Sequence, residues 1–298
     1  MYAALILDLE KSKRYSNENR NEIQQYLVKT ADFLNQVFDA GILKELRFNG
    51  GDELQGLFRN PTSAFLCLRM FWRALNGIKF HAGIGIGEWT TIIEDRDTYY
   101  QDGPVYHKAR NAVETAKKET DYTAVIVSKT EYDPILNAML NSCYKLIQGA
   151  SSYQNELAIL LECRYPILQD YPFNLNVLAE FPGMVKSHYR KSTDPVARIR
   201  DAISTGLEEW KDSQSSPIQR LSEPIKAYTD TNHPLDDVIF RYSHPYGAAK
   251  ELSDYTGLTR QAVDNALRKG DVYTERSIAL AIVNQFQQIG LNERGADH

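Results

Sequence analysis

Short apolar runs alternate with helix-periodic segments over residues 1–130, and this order constrains the fold more than any other feature. The helical segments repeat apolar side chains every three or four positions, whereas the runs have the length of single strands. The order is strand, helix, strand, strand, helix, strand, helix, strand, which predicts an α+β sandwich of the ferredoxin-like kind. The predicted strands are Tyr2–Leu9, Ile42–Asn49, Glu53–Arg59, Phe80–Trp89 and Thr123–Ser128; the predicted helices are Asn19–Phe38, a segment that begins at Asn60-Pro61, and Asp102–Lys118.

Glycines mark two places in this region. Phe80–Trp89 reads FHAGIGIGEW, and its alternation of glycine with apolar residues predicts a central strand that another backbone approaches closely. Residues 47–58 read RFNGGDELQGLF, and a Gly-rich connection between two strand-like runs predicts a hairpin. The tip of that hairpin carries Asp52 and Glu53.

We predict three parts in the chain: a first domain over residues 1–163, a linker and helical region over 164–240, and a helix-turn-helix domain over 241–298. Residues 164–193 are rich in Pro, Tyr and Phe and show little periodicity. Asp194-Pro195 is a good helix start, because aspartate caps a helix and proline fits its first position. The region after the first domain is therefore predicted to be mainly α-helical.

The C-terminal part contains HPYGAAKELSDYTGLTRQAVDNALRKGD. Ala248 and Leu252 form the apolar face of one predicted helix, Gly257 lies in the turn, and Val263 and Leu267 form the facing side of the next helix. If the second helix enters a DNA groove, the side chains that can reach bases or phosphates are Thr259, Arg260, Gln261, Asn265 and Arg268. The local charge is balanced, so a protein-interaction module is an open alternative.

Bulk composition limits the other classes. The net charge of −5 and the pI near 5.8 give no global attraction to nucleic acid. The 3 cysteines are far apart and indicate neither a disulfide framework nor a zinc site. No apolar run reaches the roughly 18 residues that span a bilayer, and the N-terminus lacks a signal-peptide pattern, so we expect a cytoplasmic protein without a membrane partner.

The predicted position of the acidic hairpin tip places its carboxylates near a further acidic residue. The first strand ends near Asp8, and in the predicted sandwich this end lies beside the hairpin. Carboxylates from neighbouring strands can hold Mg²⁺ (or Mn²⁺), which prefers oxygen ligands and completes its shell with water and phosphate oxygens. An acidic turn that only solvates a hairpin tip is the alternative.

These residues resemble the palm of class III nucleotide cyclases and GGDEF diguanylate cyclases, and most closely the SatD family. ILDLEKSK, GDELQGLF and DGPVYHKAR are similar to that family's first-strand, hairpin and helix motifs, and YTGLTRQAV is similar to its C-terminal helix-turn-helix. The resemblance covers residues 1–130 and roughly 245–270. It implies that the first domain is a palm-like, nucleotide-binding domain.

The resemblance also implies roles for single residues. Metal binding falls to Asp8, Asp52 and Glu53, and catalysis to Asp8, Asp52 and Arg110. In cyclases a helix carries Asn-x-x-x-Arg, and here that spacing places Tyr106 where the ribose-binding asparagine would be. The base-recognition residues of cyclases are not retained. The implied nucleotide-binding residues are Leu9, Glu10, Lys11, Ser12, Gly51 and Tyr106.

Two functions fit these expectations. The first is a regulator, in which a nucleoside triphosphate or cyclic nucleotide binds with Mg²⁺ and changes DNA binding by a homodimer. The second is a nucleotide cyclase or cyclic-oligonucleotide synthase that uses two metal ions. A structural domain that keeps the fold without the chemistry is a third alternative.

Overall fold

The computed structural model describes residues 1–10, 17–48, 53–90, 102–168, 172–186 and 242–296. The predicted mixture of strands and helices, and their order over the first part of the chain, are confirmed. A short 3₁₀ turn at Asp39–Gly41 is added to the predicted elements there. The elements are β1 (Tyr2–Leu9), α1 (Asn17–Val37), β2 (Ile42–Phe48), β3 (Glu53–Phe58), α2 (Pro61–Ala74), β4 (Phe80–Gly87), α3 (Pro104–Lys118) and β5 (Ala124–Val127).

The five strands form one mixed sheet in the order β2-β3-β1-β4-β5. Strands β4 and β5 are parallel, and α3 is the crossover that parallel neighbours require. Strand β1 lies in the middle and pairs antiparallel with both β3 and β4. Its apolar residues are buried on both faces, as its continuous apolar run predicts.

The glycines of β4 set the distance between the sheet and α3. A Cβ atom on Gly83 would lie 2.4 Å from the Ala109 carbonyl oxygen, and one on Gly85 would lie 2.2 Å from the Val105 carbonyl oxygen. Real Cβ atoms do not come that close to backbone, so only glycine permits α3 to lie this near the strand. The predicted close approach of another backbone is therefore confirmed, and it places α3 directly on the sheet.

Asparagine side chains cover both edges of the sheet. Asn137 and Asn141 of helix α4 (Asp133–Gly149) each donate to and accept from the backbone of β5, at Ile126 and Ala124 respectively. Asn35 of α1 does the same for one residue of β2. An amide side chain carries a donor and an acceptor, so it can satisfy an edge strand as a neighbouring strand would.

The chain divides into two compact units. The sheet unit comprises Met1–Tyr144 and Ile282–His298, and the helical unit comprises Lys145–Ala281. None of the described helices is both long and apolar enough to cross a membrane. The predicted helix start at Asp194-Pro195 lies outside the described residues. After α4, the described helices are α5 (Ser152–Arg164), α6 (Leu175–Leu178), α7 (Phe181–Lys186), α8 (Ala248–Thr256), α9 (Arg260–Lys269) and α10 (Val272–Ala296).

Helices α8 and α9 lie where the C-terminal pattern predicts two helices and a short connection. Gly257 follows α8 with a φ of 72°, the left-handed conformation that ends many helices. The Thr259 hydroxyl then accepts from the Ala262 amide and caps α9. The predicted apolar faces are buried in one cluster with side chains of α5, and this cluster fixes which face of α9 remains outside.

Candidate functional site

The carboxylate of Asp8 lies near the end of the central strand, on the face of the sheet that α3 covers. Asp8 is directly opposite Glu53 of β3 on one side and His81 of β4 on the other. Directly paired residues of an antiparallel ladder point to the same face, so the three side chains form one row across three strands. Strand pairing therefore brings together two of the three predicted metal ligands.

A lysine that was not among the predicted site residues joins this row. The Lys117 Nζ atom, from the last turn of α3, lies 3.1 Å from Asp8 Oδ2 and 3.1 Å from Glu114 Oε1. Burial by itself lowers the pKa of Lys117, but the hydrogen bonds and charges of Asp8 and Glu114 outweigh this, and the net effect raises it. Lys117 thus holds a positive charge against Asp8.

Lys117 continues a stripe along one side of α3. Tyr106, Arg110, Val113 and Lys117 follow one another at spacings of four, three and four residues, so they share a side of the helix. Tyr106 and Val113 pack in a cluster with residues of β1 and β3. The stripe consequently borders the strands that carry the predicted metal ligands. Arg110 and Lys117 are two turns apart on it, about 10 Å along the helix axis.

Arg110 is paired near the beginning of α3. Its Nη1 atom lies 3.8 Å from Asp102 Oδ1, and the two side chains are 44% and 54% exposed. His107 Nε2 lies 3.6 Å from the same carboxylate oxygen. The contact of Arg110 is long and open to solvent, so it leaves the guanidinium able to exchange partners. Of the two cations on the stripe, Arg110 contacts Asp102 and Lys117 contacts Asp8.

Tyr106 is enclosed between α3 and the sheet. Its side chain is fully buried in the cluster that contains Ala4, Ile6 and Leu57. Burial raises the pKa of Tyr106 well above its ordinary value, and the nearby charge of Arg110 offsets only part of this effect. Within the described residues its hydroxyl has no hydrogen-bond partner. A buried unpaired hydroxyl costs stability, so its presence here calls for a partner or a role.

The described carboxylates fit a hard divalent cation in their chemistry. Asp8 and Glu53 offer the oxygen ligands that Mg²⁺ and Mn²⁺ accept from proteins, and one or two protein carboxylates are common for Mg²⁺ because water and phosphate oxygens complete its shell. Among the described residues, no group of three or more His, Cys, Asp or Glu side chains is placed to hold a metal ion. The third predicted ligand, Asp52, lies outside that part of the chain, as do Gly51, Lys11 and Ser12.

Two predicted nucleotide-binding positions have other contacts in the structure. The Leu9 side chain is buried in the core. The Glu10 backbone N–H donates to the Lys79 carbonyl oxygen at 3.0 Å, so this amide is already used. A phosphate at this end of β1 would depend on the amides beyond Glu10, or on side chains such as Lys117.

The predicted DNA-contacting residues lie at the beginning and on the outer face of α9. Thr259, Arg260, Gln261, Asn265 and Arg268 are all exposed. Val263 and Leu267 face inward, so Gln261, Asn265 and Arg268 occupy the opposite side of the helix, whereas Thr259 and Arg260 lie at its exposed beginning. Asp264 of the same helix carries a negative charge, and its Oδ2 atom lies 2.8 Å from Arg268 Nε. The Arg268 guanidinium also lies over the ring of Tyr273.

Comparison with known proteins identifies the family. A model of the SatD family matches residues 2–192, more than half of the chain. The chain belongs to the SatD family. The match to the SatD model contains β1, the hairpin strands and α3, and hence Asp8, Glu53, Arg110 and Lys117. No curated protein and no solved structure matches the chain.

The match differs in extent from the resemblance inferred from motifs. It continues through residues 164–192, which carried no recognisable motif, and it ends before α8 and α9. The SatD assignment therefore rests on the sheet unit and the beginning of the helical unit. It carries no information about the exposed face of α9.

Proposed function

We propose that this SatD protein binds a nucleotide together with a divalent metal ion at the Asp8 end of its sheet, and that nucleotide binding regulates DNA binding by α8 and α9. The observation that carries the proposal is that a lysine of α3 contacts one of two acidic residues that lie opposite each other on neighbouring strands. Asp8 lies beside Glu53 in the sheet, and the Lys117 ammonium lies against Asp8. Acidic and basic groups side by side suit a ligand that is itself a metal–polyphosphate complex.

The acidic side of the site is assigned to the metal ion. Asp8, Glu53 and, by the sequence pattern, Asp52 would hold Mg²⁺ or Mn²⁺. A bound divalent ion neutralises phosphate charge and orients the phosphate chain. The central position of β1 between β3 and β4 supports this assignment, because it keeps the two strand ends in register. A palm-like domain has the same need for neighbouring carboxylates.

The basic side of the site is assigned to the phosphates. Lys117 and Arg110 lie on one side of α3, about 10 Å apart along its axis. A triphosphate chain reached by two long, flexible side chains can contact both. Each contact would replace an ion pair to a protein carboxylate, from Lys117 to Asp8 and from Arg110 to Asp102, with a charge-assisted hydrogen bond to phosphate.

DNA recognition is assigned to the exposed face of α9. This face presents arginine, glutamine and asparagine, the side chains that pair with guanine and adenine edges in the major groove. Asp264 on the same helix opposes phosphate binding, so a single copy would bind weakly and a homodimer would bind two half-sites better. Coupling to the nucleotide requires only that two arrangements of the protein differ in nucleotide affinity.

Turnover is the alternative function. A nucleotidyl cyclase would let the 3′-hydroxyl of a nucleoside triphosphate attack the α-phosphorus, and the bond to the β-phosphate oxygen would break to release pyrophosphate. The presence of Arg110 on the same side of α3 as Lys117 favours this alternative, since a second cation could stabilise charge on the phosphates. Arg110 would have to leave Asp102 in order to act.

The testing experiment is direct binding of each of the four ribonucleoside triphosphates to the full chain, with Mg²⁺ or Mn²⁺, measured by calorimetry. Asp8→Asn and Asp52→Ala should abolish metal-dependent binding. Glu131→Gln, which removes an exposed acid after β5, should leave it within about threefold. Pyrophosphate release and product mass are followed in the same samples. Binding without product supports the regulator, product that is lost in Arg110→Gln supports the cyclase, and no binding in the wild-type chain refutes both.

The DNA assignment has its own test. Oligonucleotides selected from a random duplex pool are titrated with the full chain, with and without the nucleotide that binds best. Gln261→Ala with Asn265→Ala should weaken binding to the selected site by at least about tenfold, because each bidentate base contact contributes roughly 1–3 kcal/mol of discrimination. No selection of any sequence would remove the DNA part of the proposal and leave the nucleotide part intact.

A further inference from the structure

The ammonium of Lys117 occupies a cation position beside the proposed metal ligands. It contacts Asp8 and Glu114 at the same distance of 3.1 Å, and its side chain and that of Asp8 are 32% and 26% exposed. The pair is thus neither enclosed nor fully solvated. Lysine carries its charge on a flexible four-carbon stem, so its ammonium can move by several ångströms without any change in α3.

We infer that Lys117 makes the site selective for a metal–nucleotide complex over a free metal ion. This inference rests on the proposed function and assigns the ligand selectivity of the site to a single side chain. While Lys117 pairs with Asp8, its positive charge repels a dication that approaches the same carboxylate. When the metal ion arrives with a polyphosphate, Lys117 transfers from Asp8 to a phosphate oxygen, and Asp8 becomes available to the metal ion.

The surroundings of Lys117 support this exchange. Asp8 and Glu114 attract the ammonium, Glu53 lies in the next position of the row beyond Asp8, and His81 lies on the other side of Asp8. A dication that enters this row brings two positive charges next to an ammonium, and the two cations repel each other. A negatively charged ligand that accompanies the dication offsets this repulsion. A phosphate chain supplies that negative charge and also accepts the hydrogen bonds that Lys117 gives up.

Opposite effects of one substitution on two ligands are expected. In Lys117→Gln the Asp8 carboxylate loses its competing cation, so the dissociation constant of Mn²⁺ alone should fall by roughly 5- to 30-fold, as expected for removal of a unit charge a few ångströms from a dication. The dissociation constant of the Mn²⁺–nucleotide complex should rise by at least about tenfold, because one charge-assisted phosphate contact is lost.

The measurement uses the full chain, electron paramagnetic resonance of free Mn²⁺ for the metal alone, and calorimetry for each of the four Mn²⁺–nucleoside triphosphates. Lys118→Gln is the matched control, because it removes the same charge from the adjacent exposed residue of α3. Lys117→Arg keeps the charge and should keep the Mn²⁺ affinity within about threefold. Thermal unfolding of each variant establishes that it is folded.

The outcomes separate this inference from the function on which it rests. Tighter Mn²⁺ binding and weaker nucleotide binding in Lys117→Gln, with neither change in Lys118→Gln, support the inference. If the wild-type chain binds a Mn²⁺–nucleotide complex that Asp8→Asn abolishes, but Lys117→Gln shows only one of its two expected changes or neither, the inference is overturned and the proposed function stands. Absence of both Mn²⁺ and nucleotide binding from the wild-type chain overturns both.

Discussion

The Glu162–Arg276 ion pair of the helical unit and the Asp8–Lys117 ion pair of the sheet unit have similar chemistry but differ in enclosure. The side chains of Arg276 and Glu162 are 1% and 6% exposed, against 32% and 26% for Lys117 and Asp8. Each pair connects elements that are far apart in the sequence. The contrast shows which charges hold the fold and which can exchange partners.

The guanidinium of Arg276 is tied to fixed neighbours. Its Nη1 atom lies 2.6 Å from Glu162 Oε2, and its Nη2 atom donates to the carbonyl oxygens of Tyr165 and Tyr242. The other oxygen of Glu162 accepts from the Ile167 backbone N–H at 2.8 Å. A ligand could not take either charge without removing a buried partner from the other. The role of this pair is therefore structural, whereas the half-open pair at Asp8 can serve a ligand.

The largest expected effect comes from breaking the enclosed pair. Arg276→Met leaves the Glu162 carboxylate buried without this partner and should lower the free energy of unfolding by about 3–5 kcal/mol. Urea denaturation followed by far-UV circular dichroism measures the loss. The double variant Arg276→Met with Glu162→Gln removes both charges and should recover part of the stability. A single variant that unfolds at the wild-type urea concentration would contradict the structural role of the pair.

A smaller effect of opposite sign is expected where a polar group is enclosed without a partner. Tyr106 and Tyr26 are both buried, but the Tyr26 hydroxyl donates to the Ala74 carbonyl oxygen at 3.1 Å, whereas the Tyr106 hydroxyl has no partner within the described residues. Tyr106→Phe should therefore keep or raise the free energy of unfolding, by up to about 1–2 kcal/mol, and the matched Tyr26→Phe should lower it by about 1 kcal/mol. Chemical denaturation of both variants distinguishes them.

The result for Tyr106→Phe also bears on the site. If the variant is as stable as the wild type but binds a nucleotide less tightly, the hydroxyl serves the ligand, as the Asn-x-x-x-Arg spacing implies. If Tyr106→Phe loses as much stability as Tyr26→Phe, the hydroxyl has a partner in solution and the contrast between the two tyrosines is wrong.

The strands and helices of residues 1–130 were predictable because each follows from the pattern of residues within its own segment. The apolar runs predicted the strands, the three-and-four spacing predicted the helices, and the alternating glycines of β4 predicted the close approach of α3. Asn60 caps α2 and Thr259 caps α9, as the types and positions of these residues indicate. Each of these signals spans only a few residues, so it can be read from neighbouring residues without knowledge of the tertiary structure.

Contacts between distant segments were not predictable in the same way. Lys117 and Asp8 lie far apart in the sequence, and no local pattern near either residue predicts that the two side chains are in contact. The stripe that begins at Tyr106 and Arg110 offered a signal, because it continues to Lys117 at helical spacing along the helix that covers β1. The edge-covering asparagines of α4 are a similar case, since their role depends on which strand lies beside that helix.

The smallest expected effect concerns a pair of intermediate character, Arg164 with Glu251, which connects α5 to α8. Burial by itself raises the pKa of Glu251, but hydrogen bonds from Arg164 and Tyr165 and the charge of Arg164 outweigh it, so the pKa is lowered. A carboxyl group with a lower pKa in the folded state stabilises the fold above its unfolded pKa of about 4.3, and this contribution is lost as the pH falls through the folded value. The Glu251 side chain is 42% exposed, so the contribution should stay below about 1 kcal/mol.

Glu251→Gln tests this sign. Relative to the wild type, the variant should be less stable at pH 7, and the difference should shrink as the pH is lowered from about 6 to about 3, because the wild-type carboxyl group is then protonated too. Urea midpoints at several pH values measure the difference. Asp264→Asn, which removes a charge of α9 that pairs with Arg268, should keep the acid dependence of the wild type. A difference that grows toward low pH would mean that Glu251 is stabilised in its protonated form, and Arg164–Glu251 would then belong with neither the enclosed pair nor the exchangeable one.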